Sequence, residues 1–108
     1  MTAKEYIERM CDINERRDAL NKERMAVMKE YTESLPFKVN DYVCIADNNY
    51  STEEVWIAGI KACEFGSDRV TLYVNRHRKD GSRSRTEMAY YGIKIKDVRV
   101  INDKLNEQ

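Results

Sequence analysis

Over residues 1–35 the apolar side chains return in steps of four and three. Tyr6, Met10, Ile13, Leu20, Val27 and Tyr31 fall on one seam, with Ile7 and Met28 beside it. That spacing marks one face of an amphipathic helix. Two positions of the seam are charged, Arg17 and Arg24. The apolar surface therefore gathers at the two ends: Tyr6, Ile7, Met10, Cys11 and Ile13 at one, and Val27, Met28, Tyr31 and Leu35 at the other. Between them runs the mostly charged stretch RRDALNKER. Thr2 followed by Glu5 fits a capping box, which satisfies free amides of the first turn. Pro36 disfavours helix at Leu35 and cannot donate an amide of its own. Residues 1–35 contain no Gly or Pro, so the predicted helix runs over residues 3–34.

From residue 37 the period changes to two and β-branched residues increase. FKVNDYVCIA (residues 37–46) reads as a strand with Val39, Val43 and Ile45 on one face. DNNYSTEE follows as a polar, acidic loop. VWIAGIKAC (residues 55–63) is a second strand with Trp56, Ala58, Ile60 and Ala62 together, and Gly59 marks a bend or bulge. RVTLYVNR (residues 69–76) places Val70, Leu72 and Val74 inward and Thr71, Tyr73 and Asn75 outward. Residues 86–91 form a fourth strand, residues 93–97 a short strand or turn, and residues 98–101 a fifth strand. Residues 103–108 are expected to fray.

Length sets a conflict between the two halves. A helix of ~32 residues reaches ~48 Å, whereas a compact body of ~70 residues is only about 28 Å wide. The reading that follows is an overhanging rod. Its C-terminal cluster packs on the body, and its N-terminal cluster (Tyr6, Ile7, Met10, Ile13) packs on another molecule, most simply a second copy in a homodimer. The alternative is a break near Asp18 or Asn21, with both halves folded on one core. A regular parallel coiled coil would set Arg17 and Arg24 beside their own copies. An antiparallel pairing, or a different partner, avoids that clash.

The stretches FKVNDYVCIA, VWIAGIKA and RVTLYVN resemble an SH3-like small barrel of the Tudor or KOW kind. There an apolar-x-Gly/Asn-Asp-x-Val opening precedes a strand with Trp-x-Ala-x-Ile spacing. The resemblance covers residues 37–101 and implies a closed five-stranded antiparallel barrel. Tudor domains bind methylated Lys or Arg in an aromatic cage, and no such cage is visible among Trp56, Tyr42, Tyr50, Tyr73 and Tyr90. The whole layout, with its KDGS hairpin before a closing strand, is also similar to small uncharacterised proteins of bacteriophages and mobile elements. That similarity implies an accessory role, such as inhibition of a host protein. The expected architecture is thus α+β: a long N-terminal α-helix (residues 1–35), then a five-stranded SH3-like antiparallel β-barrel (residues 36–102) and a tail (residues 103–108).

Composition changes the picture only locally. Lys+Arg and Asp+Glu both number 19, which argues against a surface devoted wholly to nucleic acid. No apolar run is long enough for a membrane span, and the N-terminus lacks a signal peptide's apolar segment. Cys11, Cys44 and Cys63 form no C-x-x-C pair. They suit a reducing cytoplasm and read as small buried hydrophobes, not metal ligands. The triplet Asn49-Tyr50-Ser51 matches a glycosylation acceptor, read here as chance without a secretion signal.

Against this balance stands NRHRKDGSRSRTE, residues 75–87, with five Arg or Lys and the chain's only His. Asp80-Gly81 predicts a hairpin with a two-residue primed turn. Alternation would then put Arg76 and Arg78 on one face and Arg83 and Arg85 on one face of the opposing strand. If register brings these faces together, four guanidiniums crowd one side, with Lys79 at the tip. Such a ribbon would clamp phosphates or contact a partner protein, or serve only as a solvated tip. His77 has no evident catalytic partner nearby, and no phosphate loop, H-E-x-x-H or G-x-S-x-G motif occurs. The expectation is a non-enzymatic interaction protein without cofactor or metal, with nucleic-acid binding through the hairpin as the alternative.

Overall fold

The computed structural model describes residues 1–47 and 51–107. Asn49 and Tyr50 of the acceptor triplet fall outside these residues. Helix α1 spans Ala3–Glu33, 31 residues without a break, so the alternative of two folded-back halves does not hold. Thr2 caps it, its Oγ1 accepting from the Glu5 amide at 3.2 Å. At the other end the Ser34 amide donates to the Glu30 carbonyl at 3.1 Å. No helical residue is buried. Only the last turns touch the rest of the chain: Met28 and Tyr31 are half-buried, and Tyr31 Oη donates to the Asp68 carbonyl at 2.8 Å.

Five strands follow: β1 (Tyr42–Asp47), β2 (Ser51–Ala62), β3 (Val70–His77), β4 (Arg83–Ile93) and β5 (Val98–Val100). All pairings are antiparallel and the order is β4-β3-β2-β1-β5. This confirms an α+β chain with a long N-terminal helix and a five-stranded antiparallel sheet. The sheet is not closed into a barrel, for β4 and β5 are its two open edges. Its inner face carries Val43, Ile45, Val55, Ile57, Val70, Leu72, Val74, Tyr90, Ile93 and Val98, none more than 9% exposed. Outside the strands, Leu35 and Phe37 complete this core, with Tyr31 and Ile95 packed against it. One sheet face with so small a cover stays dry only by coiling over itself, as twisted sheets do.

Several local readings change. Residues 37–41 are not strand. Asn40 sits at φ 76°, a left-handed conformation that Asn tolerates better than most residues, and the Lys38 amide donates to Asp41 Oδ2 at 2.7 Å. That turn leaves Val39 half exposed instead of facing inward with Val43. In β2 the pairing jumps from Ile57↔Val74 to Gly59↔Tyr73, so Ala58 is an extra residue. This bulge flips the alternation. Before it Val55 and Ile57 face the core, after it Ile60 and Ala62 do, and Trp56 lies on the outer face. β2 also begins at Ser51, so Glu53 and Glu54 belong to a strand and not to the acidic loop. Residues 93–97 resolve into the end of β4 and a 3-10 turn, Ile95–Asp97. Asn102–Glu107 forms a 3-10 helix where a frayed tail was expected. The Asn102 side chain accepts from the Tyr42 amide at 2.6 Å and donates to Asp41 Oδ1 at 3.0 Å. Finally, Cys11 is exposed and Cys44 and Cys63 are half-buried, so none is a fully buried hydrophobe.

Candidate functional site

The basic hairpin joins β3 to β4 by a longer connection than the expected two-residue primed turn. The Gly81 amide donates to the Arg78 carbonyl at 2.9 Å, and the Arg78 amide to the Ser82 carbonyl at 2.7 Å. Gly81 alone in this turn has positive φ, 87°; Asp80 does not. A primed turn would need positive φ at both. The loop is therefore Lys79–Asp80–Gly81, a three-residue connection with glycine in the left-handed position. Asp80 Oδ1 accepts from both the amide and the hydroxyl of Ser82, at 2.9 and 2.6 Å. Those bonds hold the Asp80 carboxyl below its usual range, with Arg78 adding a smaller push in the same direction.

Register then separates the cations. Asn75 pairs with Glu87 and His77 with Arg83. Arg76 alone thus lies opposite Ser84, Arg85 and Thr86, an irregularity that breaks the expected alignment of faces. Arg76 falls on the inner face beside Val74. Its guanidinium reaches Glu53 Oε1 at 3.2 Å and Met88 Sδ at 3.6 Å. The other Glu53 oxygen accepts from the Tyr90 hydroxyl. Arg83 turns to the outer face, where Nε donates to Asn75 Oδ1 at 2.8 Å and Nη1 to Asn40 Oδ1 at 3.1 Å. The four guanidiniums do not crowd one side. Arg76 and Arg83 are tied to neighbouring side chains on opposite faces, Arg76 with its side chain still 51% exposed. Arg78, Lys79 and Arg85 are exposed and form no salt bridge among the described residues.

The outer face at the hairpin's base holds a cluster that sequence reasoning missed. His77 Nδ1 faces the Gly81 carbonyl at 2.9 Å, and its Nε2 lies 2.7 Å from the Tyr42 hydroxyl. That hydroxyl also donates to Glu54 Oε2 at 3.1 Å, and Lys104 bonds the other Glu54 oxygen. The three rings pack on one another. Centroids lie 4.9 Å apart for Tyr42–Trp56, 4.5 Å for Trp56–His77 and 5.6 Å for Tyr42–His77. Rings in mutual contact leave no room between them for a methylammonium, so this trio is a packed cluster and not a cage. A carbonyl only accepts, so His77 Nδ1 carries hydrogen. Tyr42 has one hydrogen for two neighbours.

Electrostatics follows from this geometry. Burial pushes the Tyr42 hydroxyl up to about 12, with Glu54's bond and charge adding to it. The Lys104 bond holds the Glu54 carboxyl below its usual range. A raised tyrosine contributes its stability fully below its ordinary value of 10.0 and loses it as pH rises to about 12. In an alkaline titration read by tyrosinate absorbance, one of the seven tyrosines is therefore expected to ionise late and together with unfolding. Tyr42→Phe should flatten the fall in stability above pH ~10. A parallel fall in parent and variant would show that Tyr42 is not held this way.

None of Tyr42, Trp56, Glu54 or Asn40 stood out as a partner of the basic stretch. The contacts span 35 residues for Tyr42–His77 and 43 for Asn40–Arg83. Only the pairing of β1 through β2 and β3 to β4 brings them together. The other foreseen surface, Tyr6, Ile7, Met10 and Ile13 on α1, stands in solvent at 56, 58, 38 and 48% exposure. Among the described residues no group of His, Cys, Asp and Glu is arranged to hold a metal ion. Among the described residues no helix is long and apolar enough to cross a membrane. Comparison with family models, curated proteins and solved structures found no match.

Proposed function

We propose that this chain is a non-enzymatic interaction module that self-associates through α1, with its sheet domains presenting the hairpin to a partner protein. One observation carries the reading: the N-terminal apolar cluster sits on a rod that touches nothing else. The molecule measures 71 × 25 × 25 Å, and its radius of gyration is 19.8 Å, against about 13 Å for a compact chain of this length. Helices in proteins draw most of their stability from packing an apolar face, and here that face is bare. The sheet is read as SH3-like, supported by its meander and the return of β5 beside β1. The resemblance of the sequence layout to small phage and mobile-element proteins favours an accessory role. His77 does not favour catalysis, since both its ring nitrogens are engaged within the fold. Sedimentation equilibrium tests the reading. A dimer is expected, and a chain that stays monomeric up to millimolar concentration overturns it.

A second reading rests on Arg78, Lys79 and Arg85, three exposed cations at a projecting tip. Through them the hairpin would contact nucleic acid phosphates. With Arg76 and Arg83 committed to internal bonds, the log–log salt slope expected is only about −2 to −3. Gel shifts with short DNA and RNA check this: replacing these three by Ser should abolish binding. A variant that binds like the parent rules the tip out.

A further inference from the structure

We propose that α1 pairs antiparallel with α1 of a second copy, in the single register where the charges along its flanks alternate in sign. This rests on the self-association proposed above and adds its direction and alignment. The seam is Tyr6, Met10, Ile13, Arg17, Leu20, Arg24, Val27 and Tyr31. One flank of that seam reads Arg9, Arg16, Glu23, Glu30, and the other reads Ile7, Asn14, Asn21, Met28. The first flank is basic in its N-terminal half and acidic in its C-terminal half. A parallel pair brings unlike flanks together, so these charges meet Asn and Met, while Arg17 and Arg24 each face their own copies.

Turned antiparallel, like flanks meet. With Met10 set on the partner's Val27, Arg9 falls beside the partner's Glu30 and Arg16 beside the partner's Glu23. On the opposite flank Ile7 meets the partner's Met28 and Asn14 meets the partner's Asn21. Within the seam Arg17 lies over the partner's Leu20 and Arg24 over the partner's Ile13, so no guanidinium faces another directly. A shift of one heptad in one direction sets Arg16 on its own copy. In the other direction it sets Glu23 on its own copy. Either shift also cuts the opposite-charge pairs from four to two, so the stated register is favoured over both.

The body permits this alignment. About 46 Å of helix accounts for all but roughly one body width of the 71 Å long axis, so the sheet lies mainly past the helix end. An antiparallel pair therefore holds its two sheets at opposite ends. At the helix–sheet junction a groove is lined by Val27, Met28, Tyr31, Cys63, Gly66 and Asp68. In the stated register it receives the partner's Tyr6 and Ile7. Phe65, 96% exposed in the turn beside that groove, then gains a surface to cover. Arg16 is held by Asp12 at 3.0 Å in the single chain, an exposed i,i+4 pair that gives way at little cost.

Sedimentation equilibrium of charge reversals decides it. Arg9→Glu/Arg16→Glu and Glu23→Arg/Glu30→Arg should each weaken the dimer at least about 10-fold, because every flank pair becomes repulsive. Mixed together, the two variants should form a heterodimer, since all flank pairs are then opposite in charge. The fourfold reversal restores every pair and should dimerise within about 3-fold of the parent. Far-ultraviolet circular dichroism of the fourfold reversal should match the parent's, which shows that the substitutions themselves do not unfold the helix. A dimeric parent whose two reversals bind as well as it does, or whose fourfold reversal stays weak, overturns the register and leaves self-association standing. A monomeric parent removes both.

Discussion

Phe37→Ala is expected to lower the unfolding free energy by about 3–5 kcal/mol, the range for emptying a large buried aromatic site. Phe37 is 0% exposed and Leu35 5%, while Pro36 between them faces solvent. The short link after α1, bent at Leu35 and Pro36, thus drives two alternate side chains into the core that the sheet coils around. Chains of this size hold a total stability of about 5–15 kcal/mol, so one truncation removes a large share of it. The sheet has little other cover, which leaves few neighbours able to collapse into the space. Urea unfolding followed by the fluorescence of Trp56, the only Trp, measures the loss. Met25→Ala is the control: at 56% exposure and off the proposed seam, it should change the sheet's stability by less than about 0.5 kcal/mol. A loss below about 1 kcal/mol at Phe37 would mean that it does not close the core.

The helix was legible because its signals are local. Thr2 and Pro36 bracket it, and the step of four and three names its apolar ends. The number of strands was legible for the same reason, as were the inward Val70, Leu72 and Val74, since β3 alternates cleanly up to Asn75. What failed depended on residues far apart in the chain. An extra residue at Ala58 flips β2, so Val55 and Ile57, not Trp56, fill the core. Gly59 hinted at a bulge but not at which side would win. The hairpin's tip was placed correctly and its faces were not, because the irregular pairing opposite Arg76 cannot be read from alternation. Arg83 looked like a free cation until Asn75 and Asn40 were brought beside it. Basic residues in a loop are read as available by default. Here two of five are structural, and the difference lies in tertiary partners that no short window contains.

Ile7→Ser/Met10→Ser/Ile13→Ser is expected to convert the dimer to monomers, weakening association at least about 100-fold, while the sheet unfolds at the same urea concentration as the parent's. These side chains are 58, 38 and 48% exposed, so the single chain has little to lose from their truncation. Covering them across an interface is worth about 1 kcal/mol each even at partial burial. Two chains contribute six such side chains, and half of that sum already corresponds to about 100-fold in affinity. Intrinsic propensity does not confound the result, because Ile and Ser rank close together in helices and Met is only slightly better. Ion pairs along α1, such as Lys29–Glu33 at 3.9 Å, are exposed and add only tenths of a kcal/mol each. They cannot hold the N-terminal turns helical without packing. Monomerisation should therefore be accompanied by fraying of the first turns, seen as a partial loss of helical circular dichroism that Phe37→Ala in the folded dimer does not show. A variant that loses the sheet's cooperative transition would place this cluster in the chain's own core. A variant that dimerises like the parent would move the interface elsewhere, and with it the reason for so long a helix.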